Sequence, residues 1–294
     1  MVRALRTRKI APYLYIAPFL IITLFIFGYS IPSVFLFSFQ RIQGISGEFI
    51  GIANYKHVLH NIEFQAAVRN NLQLLVIVPV LVSLAIIMSV FVFEGVRGWK
   101  IYRAMLFVPY ILPITVVGIT FGYIFTLRGV LNEILKFINP EFGIDWLGNP
   151  YLALWTLMII IIWKELGFGI MLCLARLMSV SPDLYDAAKI DGAGWFKLLI
   201  HITIPQLATI IEFFTIITII NILSWIFAYS YTVTMGGPGN ATMVIELFIY
   251  RQLMKWSIPK VGAGAAASVM LFLFVLLLVF GLLKSRKRMI YEIE

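Results

Sequence analysis

The chain has 294 residues, 61% of them hydrophobic and only 13% charged, with a formal net charge of +9. Soluble domains carry about 25% charged residues, so this composition excludes an ordinary soluble domain and fits an integral membrane protein. The basic residues fall in short clusters beside apolar runs, where they set orientation in a bilayer, and this argues against a nucleic-acid partner.

A helix needs roughly 20 apolar residues to cross the hydrocarbon core. Six runs meet that length: Tyr13 to Phe39, Leu72 to Phe93, Met105 to Leu127, Tyr151 to Met178, Pro205 to Tyr229 and Val261 to Leu283. They are too long for membrane strands and lack alternation, so the expected fold is all-α with six transmembrane helices. The first run follows a basic start (Arg3, Arg6, Arg8, Lys9) and far exceeds the about 7 to 15 residues of a signal-peptide core, which predicts an uncleaved anchor.

With the N-terminus inside, the cytoplasmic segments hold about 14 lysines and arginines, and the outer loops hold about 8 over a greater length. The positive-inside rule thus places both termini in the cytoplasm. The expected organisation is a cytoplasmic N-terminus (1–12), a first transmembrane helix (13–39) and an extracytoplasmic loop (40–71). A five-helix core (72–283) with a cytoplasmic segment at 181–204 and a cytoplasmic tail (284–294) complete it.

That cytoplasmic segment reads SPDLYDAAKIDGAGWFKLLIHITIP, residues 181–205. Ser181 is a helix cap, Pro182 suits the first helical position, and Asp183 complements the positive end of the helix dipole. Gly192 and Gly194 break the helix. Trp195, Leu198, Leu199 and Ile202 then recur at helical spacing before Pro205 opens the next span. An amphipathic connector lying on lipid is one reading; a docking surface is the other, because the small pair Ala187 and Ala188 beside Asp186 lets a partner approach the backbone.

LYDAAKIDGAGWFKLLIHITIP resembles the EAA motif of the membrane subunits of binding-protein-dependent ABC importers, with Asp186 standing where that motif usually has Glu. FIGIANYKHVL (49–59), AMLFVPYILP (104–113) and TMGGPGNATMVIELFIYRQLM (234–254) extend the resemblance to the MalF/UgpA-like sugar permeases. The resemblance implies a coupling helix whose contacts with an ATP-hydrolysing subunit involve Asp186, Ala187, Ala188, Asp191, Gly192 and Ala193. It also implies the partners: a second homologous permease subunit, a cytoplasmic ATPase dimer and an extracytoplasmic solute-binding protein, with lipid around the chain. ATP and Mg would belong to the ATPase, and this chain would hold no cofactor.

Other chemistry is poorly supported. Cys173 has no second thiol, His57, His60 and His201 match no metal-ligand spacing, and neither a phosphate-binding glycine loop nor a nucleophile elbow occurs. Catalysis in this chain is therefore not expected.

Polar residues inside the spans need a reason, since an ionisable group at such depth costs about 2.5 to 3.5 kcal/mol or more. Lys164 and Glu165 lie near the middle of the fourth run and Glu212 lies in the fifth. Adjacent helical residues diverge by about 100°, which predicts poor direct pairing of Lys164 with Glu165. A mutual offset of the two charges or a pair with Glu212 or a neighbouring subunit, a place for Glu165 on the substrate path, and interfacial snorkelling all remain open. The resemblance favours the path for Glu165 and Phe168, which match positions that contact sugar in the maltose-type permease. On the fifth run Asn221, Ser224 and Trp225, continued by Tyr229, form a polar and aromatic stripe that suits a sugar ring, or serves as interhelical glue. Gly262, Gly264, Ala265, Ala266 and Ala267 form a small-residue face for close helix packing.

The leading reading is a permease subunit of an ATP-driven sugar importer of the bacterial inner membrane, for oligosaccharides or glycerol phosphate. A secondary transporter or a permease for a non-sugar solute is the alternative. The topology is directly testable: cysteines at Gly47, Gly143 and Gly239 should react with an impermeant thiol reagent added outside, and cysteines at Gly98 and Ser285 should not. Reaction at Gly98 from outside would sink the six-span arrangement.

Overall fold

The structure, a computed structural model, describes residues 2–43, 46–95, 98–255 and 258–291, with side chains from Tyr13 to Lys284 apart from Gln43 and Ser46. The N-terminal basic cluster and Ser285 therefore lie outside the described side chains. The elements run α1 (Val2–Ser38), β1 (Gln40–Gln43), β2 (Ser46–Phe49), α2 (Ala53–Leu59), α3 (Ile62–Leu74), α4 (Ile77–Phe93), α5 (Trp99–Ile111), α6 (Ile114–Ile124) and α7 (Val130–Lys136). They continue with α8 (Ala153–Leu177), α9 (Pro182–Ile190), α10 (Trp195–Leu198), a π-helical turn (Leu199–Thr203), α11 (Ile204–Ser224), α12 (Phe227–Thr234), α13 (Ile245–Met254) and α14 (Val261–Tyr291).

Five helical stretches are long and apolar enough to cross a membrane: Tyr13–Ser38, Ile62–Phe93, Ala153–Leu177, Trp195–Ser224 and Val261–Lys284. The third predicted run is not one straight helix. It is the pair α5 and α6, bent by 98°. Pro113 follows Leu112 at the bend, and a residue before proline is driven out of the helical region; Leu112 accordingly has φ −63° and ψ 138°.

Three further expectations are corrected. The membrane-length helical stretch that carries the second run begins at Ile62, ahead of Leu72. Pro205 does not open the fifth span: the helix runs on from Trp195, and the π-helical turn just ahead of Pro205 accommodates a residue that lacks an N–H and crowds the preceding turn. The fold is also not purely helical, because β1 and β2 form an antiparallel hairpin with Arg41 opposite Glu48, their side chains 3.9 Å apart.

The chain divides into two units, Met1–Asn61 with Ile249–Leu273 and Ile62–Phe248 with Phe274–Glu294. In the first, Asn54 donates from Nδ2 to the carbonyls of Ser38 and Gln40, each at 2.9 Å, which ties α2 to the end of α1. The small-residue face at the start of α14 seats there: a Cβ at Gly262 would overlap the Gln40 carbonyl and the Asn54 amide. The apolar side chains of α1 from Tyr13 onward are largely exposed.

The second unit is organised around α8, which packs on α4, α5 and α11. Two glycines permit this. A Cβ at Gly167 would lie 2.5 Å from the Leu106 carbonyl oxygen and 3.2 Å from the Phe107 Cα, and one at Gly169 would meet the Phe214 ring and Ala85. Cys173 sits below them with Val90, Leu177 and Leu207, as apolar packing. At the other end, Asn70 donates to the carbonyls of Asn240 and Met243, and Asn71 accepts from the Ile245 N–H at 3.0 Å. Asn132 gathers five bonds from the segment 126–146.

Overpacking a tight core costs about 1 to 3 kcal/mol. Gly167→Val, which forces α5 off α8, should therefore lower the thermal midpoint of the purified protein measurably. Gly122→Ala, with nothing within 4 Å of the new carbon, should leave it near wild type; equal midpoints for both variants would contradict the packing described.

Candidate functional site

A cavity of about 330 Å³ lies within the second unit, walled by α5, α6, α8, α11 and α12. Lys164 and Glu165 are its lining residues with ordinarily charged side chains. Lys164 is 4% exposed. Its Nζ donates to the Tyr110 carbonyl oxygen at 3.0 Å, lies 5.1 Å from the centre of the Tyr110 ring, and stands 3.7 Å from Glu165 Oε1. The direct pairing judged poor from helical angles does occur, because the four-carbon lysine arm bends back past its own helix. Glu165 Oε1 also accepts from the Tyr229 hydroxyl at 2.5 Å.

Around that carboxylate the walls are aromatic. Tyr110 and Phe168 stack at 5.1 Å between ring centres, and Phe168 meets Phe214 edge-on at 6.0 Å. Asn221 and Thr218 face the same space, as does Trp225, which is 70% exposed. The polar stripe predicted on one continuous helix is interrupted, since α11 ends at Ser224 and Trp225 leaves helical geometry with φ −137°. Asn221, Trp225 and Tyr229 line the cavity, whereas Ser224 is outside it and half-buried. Glu212 does not line it either. Tyr110 was not picked out by the sequence; the signal available was its place in the last turn before Leu112-Pro113, where a helix must release carbonyls.

Beyond the break, α12 is held by a half-buried carboxylate. Glu246 Oε2 accepts from the Phe227 N–H at 2.7 Å, at the positive end of α12. This fixes the helix that carries Tyr229.

The segment 181–194 lies elsewhere in the same unit. Ser181 Oγ accepts from the Asp183 N–H at 3.3 Å and Pro182 occupies the first turn of α9. Nothing in α9 is buried. Asp186, Ala187, Asp191 and Gly192 are exposed, Ala188 and Ala193 half-buried, and Gly192 has φ +78°, a conformation that glycine adopts without steric cost. The mounting is firm: the Tyr185 ring packs on Phe93 at 5.8 Å and its hydroxyl meets Thr203 Oγ1 at 3.4 Å, while the Trp195 indole donates to the Glu94 carboxylate. Among the described residues no group of His, Cys, Asp and Glu is arranged to hold a metal ion.

Membrane-length helices, an internal cavity lined by a charge pair, and an exposed, rigidly mounted helix define a membrane transport component. The chain belongs to the family of binding-protein-dependent transport system inner membrane components, which it matches over residues 50–289, and it is a multi-pass protein. It is 33% identical to the arabinooligosaccharides transport system permease protein AraP of Bacillus subtilis, over 92% of this chain and 86% of that protein. It is 30% identical to the trehalose/maltose transport system permease protein MalF of Thermococcus litoralis, over 90% and 89% of the two chains. The fold matches a chain from the crystal structure of a bacterial ABC transporter involved in the import of the acidic polysaccharide alginate, with a TM-score of 0.83, 22% identity, and coverage of 98% of this chain and 99% of that one.

Burial pushes the Glu246 carboxyl from its ordinary 4.5 up to about 7, against the backbone N–H groups of Phe227 and Ile226, which pull it down. The folded protein then binds this proton more tightly than the unfolded chain, so its contribution to stability is full below about pH 4.5 and is lost as pH rises to about 7. Over that window the midpoint of Glu246→Gln should fall less with pH than that of wild type. Parallel curves would show that this carboxyl does not titrate there.

Proposed function

We propose that the chain is a permease subunit of an ATP-driven ABC importer for sugars, and that the cavity between α5, α8, α11 and α12 is part of the solute path. The observation that carries the reading is the cavity itself: an aromatic platform of Tyr110 and Phe168 beside the Glu165 carboxylate and the Asn221 amide is what a sugar ring and its hydroxyls require. Glu165, Phe168, Asn221 and Trp225 are the proposed substrate contacts. Names of relatives support the class, since they include arabinooligosaccharide, lactose and trehalose/maltose permeases. A secondary transporter is disfavoured by membership of a binding-protein-dependent family.

The remaining parts of the machine follow from this reading. The cytoplasmic ends of the chain are both termini, by charge asymmetry, and the same asymmetry puts α9 on the cytoplasmic side. There Asp186, Ala187, Ala188, Asp191, Gly192 and Ala193 form the contact with an ATPase dimer. ATP and Mg bind that dimer, and this chain holds no cofactor and carries out no hydrolysis. A second homologous permease completes the membrane part; the exposed apolar length of α1 is suited to such a partner or to lipid. A solute-binding protein delivers the sugar from outside; a structure of similar fold is of a bacterial alginate ABC transporter in complex with an alginate pentasaccharide-bound periplasmic protein.

Two experiments separate the halves of the proposal. In proteoliposomes containing the whole transporter, Phe168→Ala should lower sugar uptake roughly two- to tenfold, from the about 0.5 to 1.5 kcal/mol of an aromatic contact, with assembly intact. Ala188→Trp or a β-branched residue at Gly192 should instead leave the chain inserted while ATP hydrolysis no longer responds to the binding protein. Normal transport by both coupling variants would make α9 a passive connector.

A further inference from the structure

We infer that this cavity selects uncharged saccharides and rejects those bearing carboxylate or phosphate, with Glu165 as the specificity-determining residue. The inference rests on the proposed sugar path and narrows its substrate class.

The two charges of the cavity are not equally available. Lys164 is nearly completely buried, its Nζ hydrogen-bonded to the Tyr110 carbonyl and covered by the Tyr110 ring. An anion entering the cavity reaches that ammonium only by displacing these contacts and Glu165. The Glu165 side chain, by contrast, is 24% exposed. Among the described residues its two polar contacts, from Tyr229 and Lys164, fall on Oε1, which leaves Oε2 as an acceptor for a hydroxyl.

The donors that could hold an anion are few. The Tyr229 O–H is already given to Glu165. The Asn221 amide, the Thr218 and Tyr110 hydroxyls and the Trp225 indole N–H remain among the lining residues, and all four are neutral. A sugar hydroxyl can donate to Glu165 Oε2 and accept from Asn221, matching both. The charged group of a uronate or phosphate ester offers only acceptors to a carboxylate and meets like charge beside largely apolar walls, where repulsion is less screened than in bulk water. The chain's relatives include a permease named for sn-glycerol-3-phosphate, so the family spans both charge classes and the distinction has content.

The test measures saccharide binding to the whole transporter in lipid nanodiscs without the binding protein, so that delivery does not impose its own selection. Arabinotriose, lactose and maltotriose serve as neutral probes, digalacturonate and glycerol 3-phosphate as anionic ones, with binding followed by saturation-transfer NMR and competition. At least one neutral probe should bind wild type, and both anions should bind at least tenfold more weakly. Glu165→Gln should close that gap by roughly tenfold, whereas Glu165→Asp, which keeps the charge, should preserve it. Wild-type binding of either anion as tight as the best neutral probe overturns the inference whatever the variants do. An unchanged ratio in a folded Glu165→Gln overturns it too, while neutral binding that Phe168→Ala weakens would leave the sugar path standing. Absence of binding by every probe would remove both.

Discussion

The hydrogen bond from Lys164 to the Tyr110 carbonyl is the contact on which the centre of the molecule depends. The last turn of a helix leaves carbonyls without intrahelical partners, and α5 ends at the bend of an apolar, membrane-length pair, where Ile111 and Leu112 are exposed and the Tyr110 carbonyl turns to Lys164. Tyr110 is in that last turn, just ahead of Leu112 and Pro113. A cation at a helix C-terminus satisfies such a group and opposes the dipole there. The buried ammonium therefore solves a problem that the bend creates, and the bend supplies part of what makes a buried ammonium tolerable. Breaking the pair by removing one partner would leave the other group buried and uncompensated.

Glu165 follows from that arrangement. A lone buried lysine would leave a net positive interior, and the neighbouring carboxylate offsets it at 3.7 Å. Its position one residue along α8 turns it toward the cavity, where Tyr229 supplies a charge-assisted hydrogen bond of the short kind expected for O–H to carboxylate. Tyr229 in turn depends on α12 being held in place, which the Glu246 cap does at 2.7 Å. The cavity is thus bounded by a chain of contacts from the α5 bend, through the charge pair, to a capped short helix.

Much of this architecture was legible from apolar run length, which anticipated the helices at Tyr13–Ser38, Ala153–Leu177 and Val261–Lys284 closely. Hydropathy carries no direction, however, so it could not distinguish a straight crossing from the bent α5 and α6; Pro109 and Pro113 were the local sign. Nor does a polar stripe at helical spacing establish that the helix is continuous, and the break at Trp225 places Ser224 outside the cavity. The angular argument against Lys164 pairing with Glu165 failed for a different reason. It describes Cβ directions, whereas a lysine ammonium is carried three carbons beyond its Cβ and goes where its strongest partner is. The motif around α9, by contrast, was readable because capping serine, N-terminal proline and a positive-φ glycine are local requirements.

The two helices that line the cavity most directly are also those that enter and leave the exposed segment. The helix α8 carries Lys164, Glu165 and Phe168 and ends at Leu177, four residues before the cap of α9. The continuous stretch Trp195–Ser224 begins just after Gly194 and carries Phe214, Thr218 and Asn221 to the cavity. They are locked together between these points, because Arg176 donates from Nε to the Gln206 carbonyl at 3.0 Å and from Nη2 to Gln206 Oε1 at 2.9 Å. The Tyr185 contact with Phe93 extends the same block to the end of α4. On the proposed coupling role of α9, a push on it would be delivered to helices rather than absorbed by a loop, and α8 and α11 both run from that segment to the cavity where the solute would sit.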